Sequence, residues 1–286
     1  MDWNDDARAA VSKAPFFVRG MINKRVEAYV REQGRDVVTL QDVETLRARV
    51  TGSASGPMQQ EITNEQIEKI VRESQPRAYA DERAYEVRVC AECPRSLFDV
   101  DALAGKLTDL IKAKRVPEAV ESRTKGPMLK HHKLTVSISG CPNSCSQPQI
   151  VDFGVQGRVK PIVGTGSCTQ CGECVRVCRE DSISIGSGEP VVDEMRCIDC
   201  GDCARACPVE ALVLGEVGYT VLAGGKLGRH PQLARTLFDF ADERALLAAF
   251  ETICDIFAGE LRPGERLADA VTRLGVDEIT RRVGAT

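Results

Sequence analysis

The pattern of apolar and polar positions predicts strands that alternate with helices along most of the chain. Apolar residues alternate with polar ones over 85–89, 133–139, 151–157 and 218–224, which predicts four strands. Apolar residues at helical spacing lie between the first two strands, in a helix that we expect to begin near Pro94. The helices predicted for the remaining chain span about 231–239, 242–258, 264–274 and 276–283.

The first fifty residues predict a separate helical module. A short helix follows Trp3, and a second begins near Pro15 and ends at Gly34. Thr39 and Asp42 have the spacing of a capping box for a third helix. A linker is indicated by the sequence TGSASGP at 51–57, and a further helix is expected to run from Thr63 to about Ser74.

Composition limits the possible classes of protein. The 286 residues are 43% hydrophobic and 28% charged, which suits a globular chain of two or three small domains. Aromatic residues make up only 5% and the formal charge is −4, so nucleic acid is not an expected partner. No apolar stretch reaches the length of a membrane span, and the acidic start is unlike a signal peptide. We therefore expect a cytoplasmic protein.

Cysteines give the strongest chemical signal. Twelve of the thirteen lie within residues 90–207, with spacings too tight for six disulfides. Four thiolates bind each cubane, so this number predicts three [4Fe-4S] clusters. Four-thiolate zinc sites are the alternative, because they also use pairs of cysteines separated by two residues.

Two copies of a C-x2-C-x2-C-x3-C motif, 29 residues apart, are typical of bacterial two-cluster ferredoxins. Three closely spaced thiolates wrap one cubane, and the fourth reaches the cubane of the other copy. One predicted ligand set is Cys168, Cys171, Cys174 and Cys207. The other predicted set is Cys197, Cys200, Cys203 and Cys178. Arg179 follows the first copy where Pro208 follows the second.

Three further strings resemble the iron–sulfur half of the sirohaem sulfite and nitrite reductases. They are VRVCAECPRSL at 87–97, SISGCPNSCSQPQIVDFGVQG at 137–157 and VLAGGKLGRHPQLA at 221–234. The resemblance implies an α+β fold: a sulfite-reductase-like α/β half-domain with an inserted 2[4Fe-4S] ferredoxin domain and an N-terminal helical module. The expected segments are 1–50 (helical module), 51–84 (linker and partial ferredoxin-like segment), 85–165 with 216–286 (reductase-like domain) and 166–215 (insert).

The resemblance also implies a third cubane, whose last cysteine bridges to the sirohaem iron. Its ligands would be Cys90, Cys93, Cys141 and Cys145, with Cys145 as the bridge. Cys90 and Cys93 are separated by two residues, whereas the family usually has five between them. A different site at this pair is therefore the alternative.

Sirohaem carries eight carboxylates, so its pocket needs cationic residues. The predicted cofactor-binding cations are Arg123, Lys125 and Lys226. The resemblance to the family adds Asn143, Gly224 and Gly225 as cofactor-binding residues. The predicted catalytic residues are Cys145, Lys130, Lys133 and Arg229. A solvated strand end is the alternative interpretation of the KHHK run at 130–133.

The N-terminal module resembles a small helical domain at the C-terminal end of one of the light-independent protochlorophyllide reductase proteins, the B component. The matching residues are Trp3, PFFVRGMINKRVEAYVREQG and VTLQDV. A general docking or stabilising bundle is the alternative.

Two functions are consistent with these patterns. The first is a sirohaem enzyme that reduces sulfite or nitrite with electrons from its own ferredoxin clusters. The second is an electron-transfer subunit with three cubanes and no sirohaem. Either function implies an electron-donor protein or partner oxidoreductase subunits, and an oligomer or complex.

Overall fold

The computed structural model describes residues 1–12, 16–51 and 75–284, in two units divided between Asn64 and Glu65. Of the linker predicted over 51–57, Thr51 belongs to a helix and the rest lies outside the described residues, as does the helix expected from Thr63 to about Ser74. The elements of the first unit are β1 (Asp2–Trp3), α1 (Asp5–Ser12), α2 (Phe16–Glu32), β2 (Val37–Val38) and α3 (Leu40–Thr51). β1 and β2 pair in parallel.

Local hydrogen bonds define the turn between α2 and α3. Gly34 adopts a φ of 67°, its N–H donates to Arg31 O at 3.0 Å, and the N–H of Arg35 donates to Val30 O at 3.1 Å. These two bonds form a Schellman motif, so the predicted C-cap at Gly34 is confirmed. The Asp42 carboxylate accepts hydrogen bonds from the N–H and the hydroxyl of Thr39, which confirms the return half of the predicted capping box.

We expect Asp42→Asn to weaken α3 by about 1–2 kcal/mol, because the amide loses the charge that faces Arg35 and Thr39. The guanidinium of Arg35 lowers the pKa of Asp42 to about 2, against the opposing effect of burial. The carboxylate therefore stabilises the unit fully above the ordinary carboxyl pKa, and this contribution is lost as the pH falls through about 2.

Hydrogen–deuterium exchange of the α3 amides in the full chain would measure this effect at neutral pH. The exposed Glu44→Gln on the same helix is the matched control. Equal exchange rates in the two variants would contradict the assigned role of Asp42.

Within the described residues, the second unit is built on a six-stranded sheet in the order β10-β9-β6-β5-β4-β3. Its strands are β3 (Arg77–Asp81), β4 (Tyr85–Val89), β5 (Leu134–Ser139), β6 (Phe153–Val163), β9 (Leu212–Ala223) and β10 (Arg235–Ala241). β4, β5 and β6 are parallel, and the other pairs are antiparallel.

Several helices cover this sheet. They are α4 (Val100–Ala113), α5 (Val116–Arg123), α8 (Glu243–Asp255), α9 (Leu267–Leu274) and α10 (Val276–Val283). A π-helical turn, Ile256–Glu260, follows α8, and short 3₁₀ turns occur at Lys130–His132 and Pro148–Ile150. The three predicted helices after residue 241 are confirmed. No helix in the described parts of the chain is both long and apolar enough to cross a lipid bilayer.

Two predicted elements were wrong. Residues 235–241 form β10, not part of a helix, and pair with the free edge of β9. Two register shifts interrupt this pairing, so the strand lacks the strict alternation that would have identified it. The helix expected at Pro94 begins instead at Val100, because the Asp99 carboxylate accepts hydrogen bonds from the first-turn N–H groups.

The central strands present one apolar face and one polar face. Leu134, Val136 and Ile138 of β5 are fully buried in the core that includes residues of α4 and α8. Phe153 of β6 packs against Phe250 of α8, with ring centroids 4.7 Å apart. The hydroxyl residues of β5 alternate with its apolar residues and therefore occupy the opposite face.

The connection between β5 and β6 crosses this polar face. Ser137 donates to Ser146 O at 2.6 Å, and the hydroxyls of Ser139 and Ser146 are also 2.6 Å apart. Near β6, the buried Asp152 carboxylate accepts from the N–H and hydroxyl of Thr135. Burial raises the pKa of Asp152. The hydroxyl side chains thus hold the connection against the sheet from end to end.

A cysteine-rich segment lies between β6 and β9. It contains α6 (Glu173–Val177), the antiparallel pair β7 (Ile183–Gly186) and β8 (Glu189–Val192), and α7 (Asp202–Arg205). We call residues 168–178 the first repeat and residues 197–207 the second repeat. Left-handed backbone conformations recur 29 positions apart, with a φ of 56° at both Gln170 and Asp199. The two repeats therefore have matching loop geometry.

Candidate metal centres

Four cysteines, here called the sheet-end cysteines (Cys90, Cys93, Cys141 and Cys145), follow the carboxyl ends of β4 and β5. The N–H of Cys90 donates to Ile138 O at 3.0 Å, and the N–H of Gly140 donates to the Cys90 sulfur at 3.3 Å. Leu97 N–H also donates to Gly140 O at 2.9 Å. These bonds hold the two cysteine-bearing loops together at the end of the sheet where α/β folds usually place ligands.

The sheet-end cysteines line one cleft of about 320 Å³. A site for one water needs only about 10–15 Å³, so this cleft has room for a multi-atom group. Burial, with smaller contributions from the neighbouring thiols, raises the pKa values of Cys90 and Cys141. The two-residue spacing between Cys90 and Cys93 therefore does not separate Cys90 from the other three cysteines.

Cys145 lines this cleft from the connection that follows β5. It is exposed and sits in the turn after Ser144, whose φ is 57°. The Ser144 hydroxyl accepts hydrogen bonds from the side-chain amides of Gln149 and Gln156, and these bonds hold the turn in place. Asn143 is exposed beside the same cleft. A fixed turn with an exposed thiol suits a cysteine that bridges two groups.

The repeats bring together a second set of cysteines. One cavity of about 50 Å³ is lined by Cys178 of the first repeat and by Cys197, Cys200 and Cys203 of the second repeat. This is the crossed set that the spacing predicts.

The other predicted set, which contains Cys168, Cys171, Cys174 and Cys207, has weaker geometric support. Burial raises the pKa of Cys174, and the nearby thiols of Cys207 and Cys168 raise it further. Burial also opposes ionisation of Cys207, but backbone N–H groups of residues 209–212 outweigh it and lower the pKa. Those N–H groups would stabilise a thiolate.

Three of the predicted ligand sulfurs accept hydrogen bonds from the backbone. Backbone N–H groups point at the sulfurs of Cys93, Cys168 and Cys197 at 3.4 Å, a contact that also tunes iron–sulfur clusters.

The structure does not bring Lys130 and Lys133 to the cysteines. Both precede β5, whereas Cys141 follows it, and a six-residue strand spans about 20 Å. Lys130 pairs with Glu86 at 3.3 Å and Lys133 with Asp81 at 2.6 Å. These ion pairs fit the alternative interpretation of the KHHK run as the outer end of a strand.

Arg123 and Lys125 also lie before β5 in the chain. Arg123 donates to Phe257 O, and its guanidinium lies 4.9 Å from the centroid of the Phe257 ring. It therefore ties α5 to the π-helical turn. Lys125 is exposed and forms no ion pair within the described residues.

The glycine-rich turn after β9 contacts α9 and the connection between β5 and β6. A Cβ on Gly224 would lie 2.8 Å from Val271, and one on Gly225 would lie 2.5 Å from Gln149 O. Internal packing thus accounts for both glycines. Lys226 is paired with Asp269, whereas Arg229 has no hydrogen-bond or ion-pair partner among the described residues. Of the cations in this turn, Arg229 remains available for an anionic ligand.

Sequence reasoning missed Arg95 and Asp202, which form an ion pair at 2.8 Å. Arg95 follows the Cys93-Pro94 dipeptide, and Asp202 lies between two cysteines of the second repeat. The sequence shows opposite charges inside two cysteine motifs, but only the tertiary fold brings the two side chains together.

Comparisons with known proteins identify a family for each of two parts of the chain. Residues 80–286 match the family described as nitrite and sulphite reductase 4Fe-4S domain, and residues 3–47 match the family of the proto-chlorophyllide reductase 57 kD subunit. The first match covers more than half of the chain. The chain therefore belongs to the nitrite and sulphite reductase 4Fe-4S domain family.

Two relatives match parts of the chain. A coenzyme F420-dependent sulfite reductase of Methanocaldococcus jannaschii is 40% identical over 137 residues, which are 48% of this chain and 20% of that protein. The B component of a light-independent protochlorophyllide reductase of Rippkaea orientalis is 42% identical over 41 residues, which are 14% of this chain and 8% of that protein. The chain thus spans a minor part of each relative.

Among solved structures, dissimilatory sulfite reductase I aligns with a TM-score of 0.48 and 21% identity. The alignment covers 69% of this chain and 52% of that chain.

We expect Gly140→Ala to destabilise the loops at this end of the sheet by about 1–3 kcal/mol, because the added Cβ would lie 2.2 Å from the Ser96 hydroxyl oxygen. Hydrogen–deuterium exchange of residues 88–98 and 134–140 in the isolated holoprotein measures this loosening. Gly259→Ala is the matched control, since its Cβ would meet nothing within 4 Å. Unchanged exchange in Gly140→Ala would show that this contact does not hold the loops.

Proposed function

We propose that this protein is an iron–sulfur oxidoreductase that carries electrons through two ferredoxin-type clusters to a third cluster coupled to sirohaem, where sulfite or nitrite is reduced. The main supporting observation is that the four sheet-end cysteines line one cleft. The cavity at the second repeat lies beside it, since Asn143 lines both. This adjacency joins the two kinds of cysteine motif into one redox assembly.

Three cubanes fit the thiols of the chain. Each predicted set contains four cysteines, and each has a sulfur that accepts a backbone N–H. Such bonds compensate the negative charge of a thiolate-ligated cluster and adjust its potential. The cysteine-rich segment would then be the inserted ferredoxin domain, with the crossed ligand sets described above.

Two exposed residues have the chemistry to hold sirohaem. The thiol of Cys145 would be a ligand to its iron, and Arg229 is a cation suited to one of its carboxylates. Asn143, which lines the same cleft as Cys145, would add a polar side chain. When bound, sirohaem would supply a redox-active iron that passes six electrons to one substrate atom.

The relatives suggest the remaining parts of the proposal. Sulfite is the substrate in the name of the M. jannaschii relative, and nitrite belongs to the family description. An electron-donor protein or partner subunits would complete the assembly, in the cytoplasm. The N-terminal unit would act as a docking module, as its match to a part of a reductase subunit suggests.

A second candidate function is electron transfer without sirohaem. Of the cations predicted for the sirohaem pocket, Lys226 is paired with Asp269, and Lys130 and Lys133 lie at the opposite end of β5 from Cys141. In that case the three cubanes would serve a partner oxidoreductase.

We expect about twelve iron atoms per chain, and one more if sirohaem is bound. Elemental analysis of anaerobically purified protein measures this, and zinc in place of iron would contradict it.

Cys178→Ser should damage the cluster of the second repeat, because Cys178 lines its cavity. Cys207→Ser should damage the cluster of the first repeat, and damage confined to each variant's own repeat would refute the crossed sets.

Cys145→Ser separates the two candidate functions. If sirohaem is bound, this variant should change the sheet-end cluster signal and the macrocycle bands together, and abolish turnover of sulfite or nitrite. The signals of the repeats should survive, because their eight ligands are separate. Visible and electron paramagnetic resonance (EPR) spectra of the variant and wild type provide the measurement.

Wild-type protein with three cubanes, no macrocycle and no turnover would support the electron-transfer subunit instead. An unchanged macrocycle and turnover in Cys145→Ser would refute the bridging role.

A further inference from the structure

The two repeats have the same loop conformation but different surroundings. Gly172 and Gly201 occupy equivalent positions and have φ values of 75° and 73°. A Cβ on Gly172 would meet nothing within 4 Å, whereas one on Gly201 would lie 2.6 Å from Leu214 and 2.7 Å from Val159. The loop of the second repeat is therefore packed against the β6–β9 ribbon, and the loop of the first repeat is open.

Hydrogen bonds show the same asymmetry. The N–H of Val159 donates to Asp199 O at 2.8 Å, and Arg158 donates to Ile198 O at 2.7 Å. Gln170, which corresponds to Asp199, is exposed. Only the second repeat is thus tied to the sheet by its cysteine loop, among the contacts of the described residues.

An ion pair connects the second repeat to the loop that carries Cys93. In both repeats an acidic residue pairs with an arginine three positions later: Glu173 with Arg176, and Asp202 with Arg205. Asp202 has an additional partner, Arg95, at 2.8 Å. Arg95 is two residues from Cys93, and its N–H donates to that sulfur at 3.4 Å. The pair therefore connects the two cysteine loops directly.

We infer that the repeats have fixed and different roles. The cluster of the second repeat passes electrons to the cluster of the sheet-end cysteines, and the cluster of the first repeat receives them from an electron-donor protein. Arg95 is the positioning residue that holds the relay loop against the sheet-end loop. This inference rests on the proposed cluster binding. Each transfer oxidises one reduced cluster and reduces the next by one electron, with no bond or proton change.

The asymmetry can be measured by EPR on the holoprotein reduced with dithionite. A soluble dysprosium chelate enhances the relaxation of paramagnetic centres near the surface. We expect the chelate to act more strongly on the cluster of the first repeat than on that of the second. Cys171→Ser and Cys200→Ser identify the two signals, because each removes a ligand of one set. Equal enhancement of both signals would overturn the assigned roles.

Arg95→Gln tests the positioning role. It removes the ion pair to Asp202, so we expect the magnetic interaction between the second-repeat and sheet-end clusters to weaken or disappear. Arg176→Gln is the matched control, because it breaks an arginine–carboxylate pair that stays within the open repeat. An unchanged interaction in Arg95→Gln, with all clusters present, would refute the role of Arg95. Absence of the clusters from wild-type protein would instead refute the proposed function.

Discussion

The parallel pairing of β5 and β6 is the constraint on which the rest of the site depends. Two adjacent parallel strands need a connection that returns along the whole strand, and such connections require a dozen or more residues. Here residues 140–152 make that return with a short 3₁₀ turn and no α-helix. The hydroxyls of Thr135, Ser137 and Ser139 replace helix packing with hydrogen bonds to the connection. The polar face of the sheet thus becomes the support of the cysteine turn.

This arrangement explains why two cysteine pairs that are distant in sequence form one group. Cys90 and Cys141 follow neighbouring parallel strands, so both reach the same end of the sheet. The hydrogen bond from the Gly140 N–H to the Cys90 sulfur then joins the two loops that carry these cysteines. The β6–β9 ribbon leaves the same sheet and carries the repeats, and Arg158 and Val159 fix the second repeat beside the group. One strand order therefore positions both kinds of cysteine motif.

Sequence alone predicted the strands that alternate regularly, whereas the cysteine sets, which rest on spacing, stay predictions. It missed β10, where two register shifts break the alternation. It also grouped Lys130 and Lys133 with the site on charge alone, although residues before and after a strand lie at opposite ends of it. The pair of Arg95 and Asp202 was inaccessible to sequence reasoning, because 107 positions separate the partners and only the docked second repeat brings them together.

The most direct test of the account is Mössbauer spectroscopy of the ⁵⁷Fe-enriched holoprotein. The method resolves each kind of iron and detects magnetic coupling between a cubane and a neighbouring iron. The account predicts three cubanes, and a further single iron that is coupled to only one of them. Three cubanes without a coupled iron would contradict the sirohaem enzyme, and fewer than three would contradict the cysteine sets on which the whole account rests.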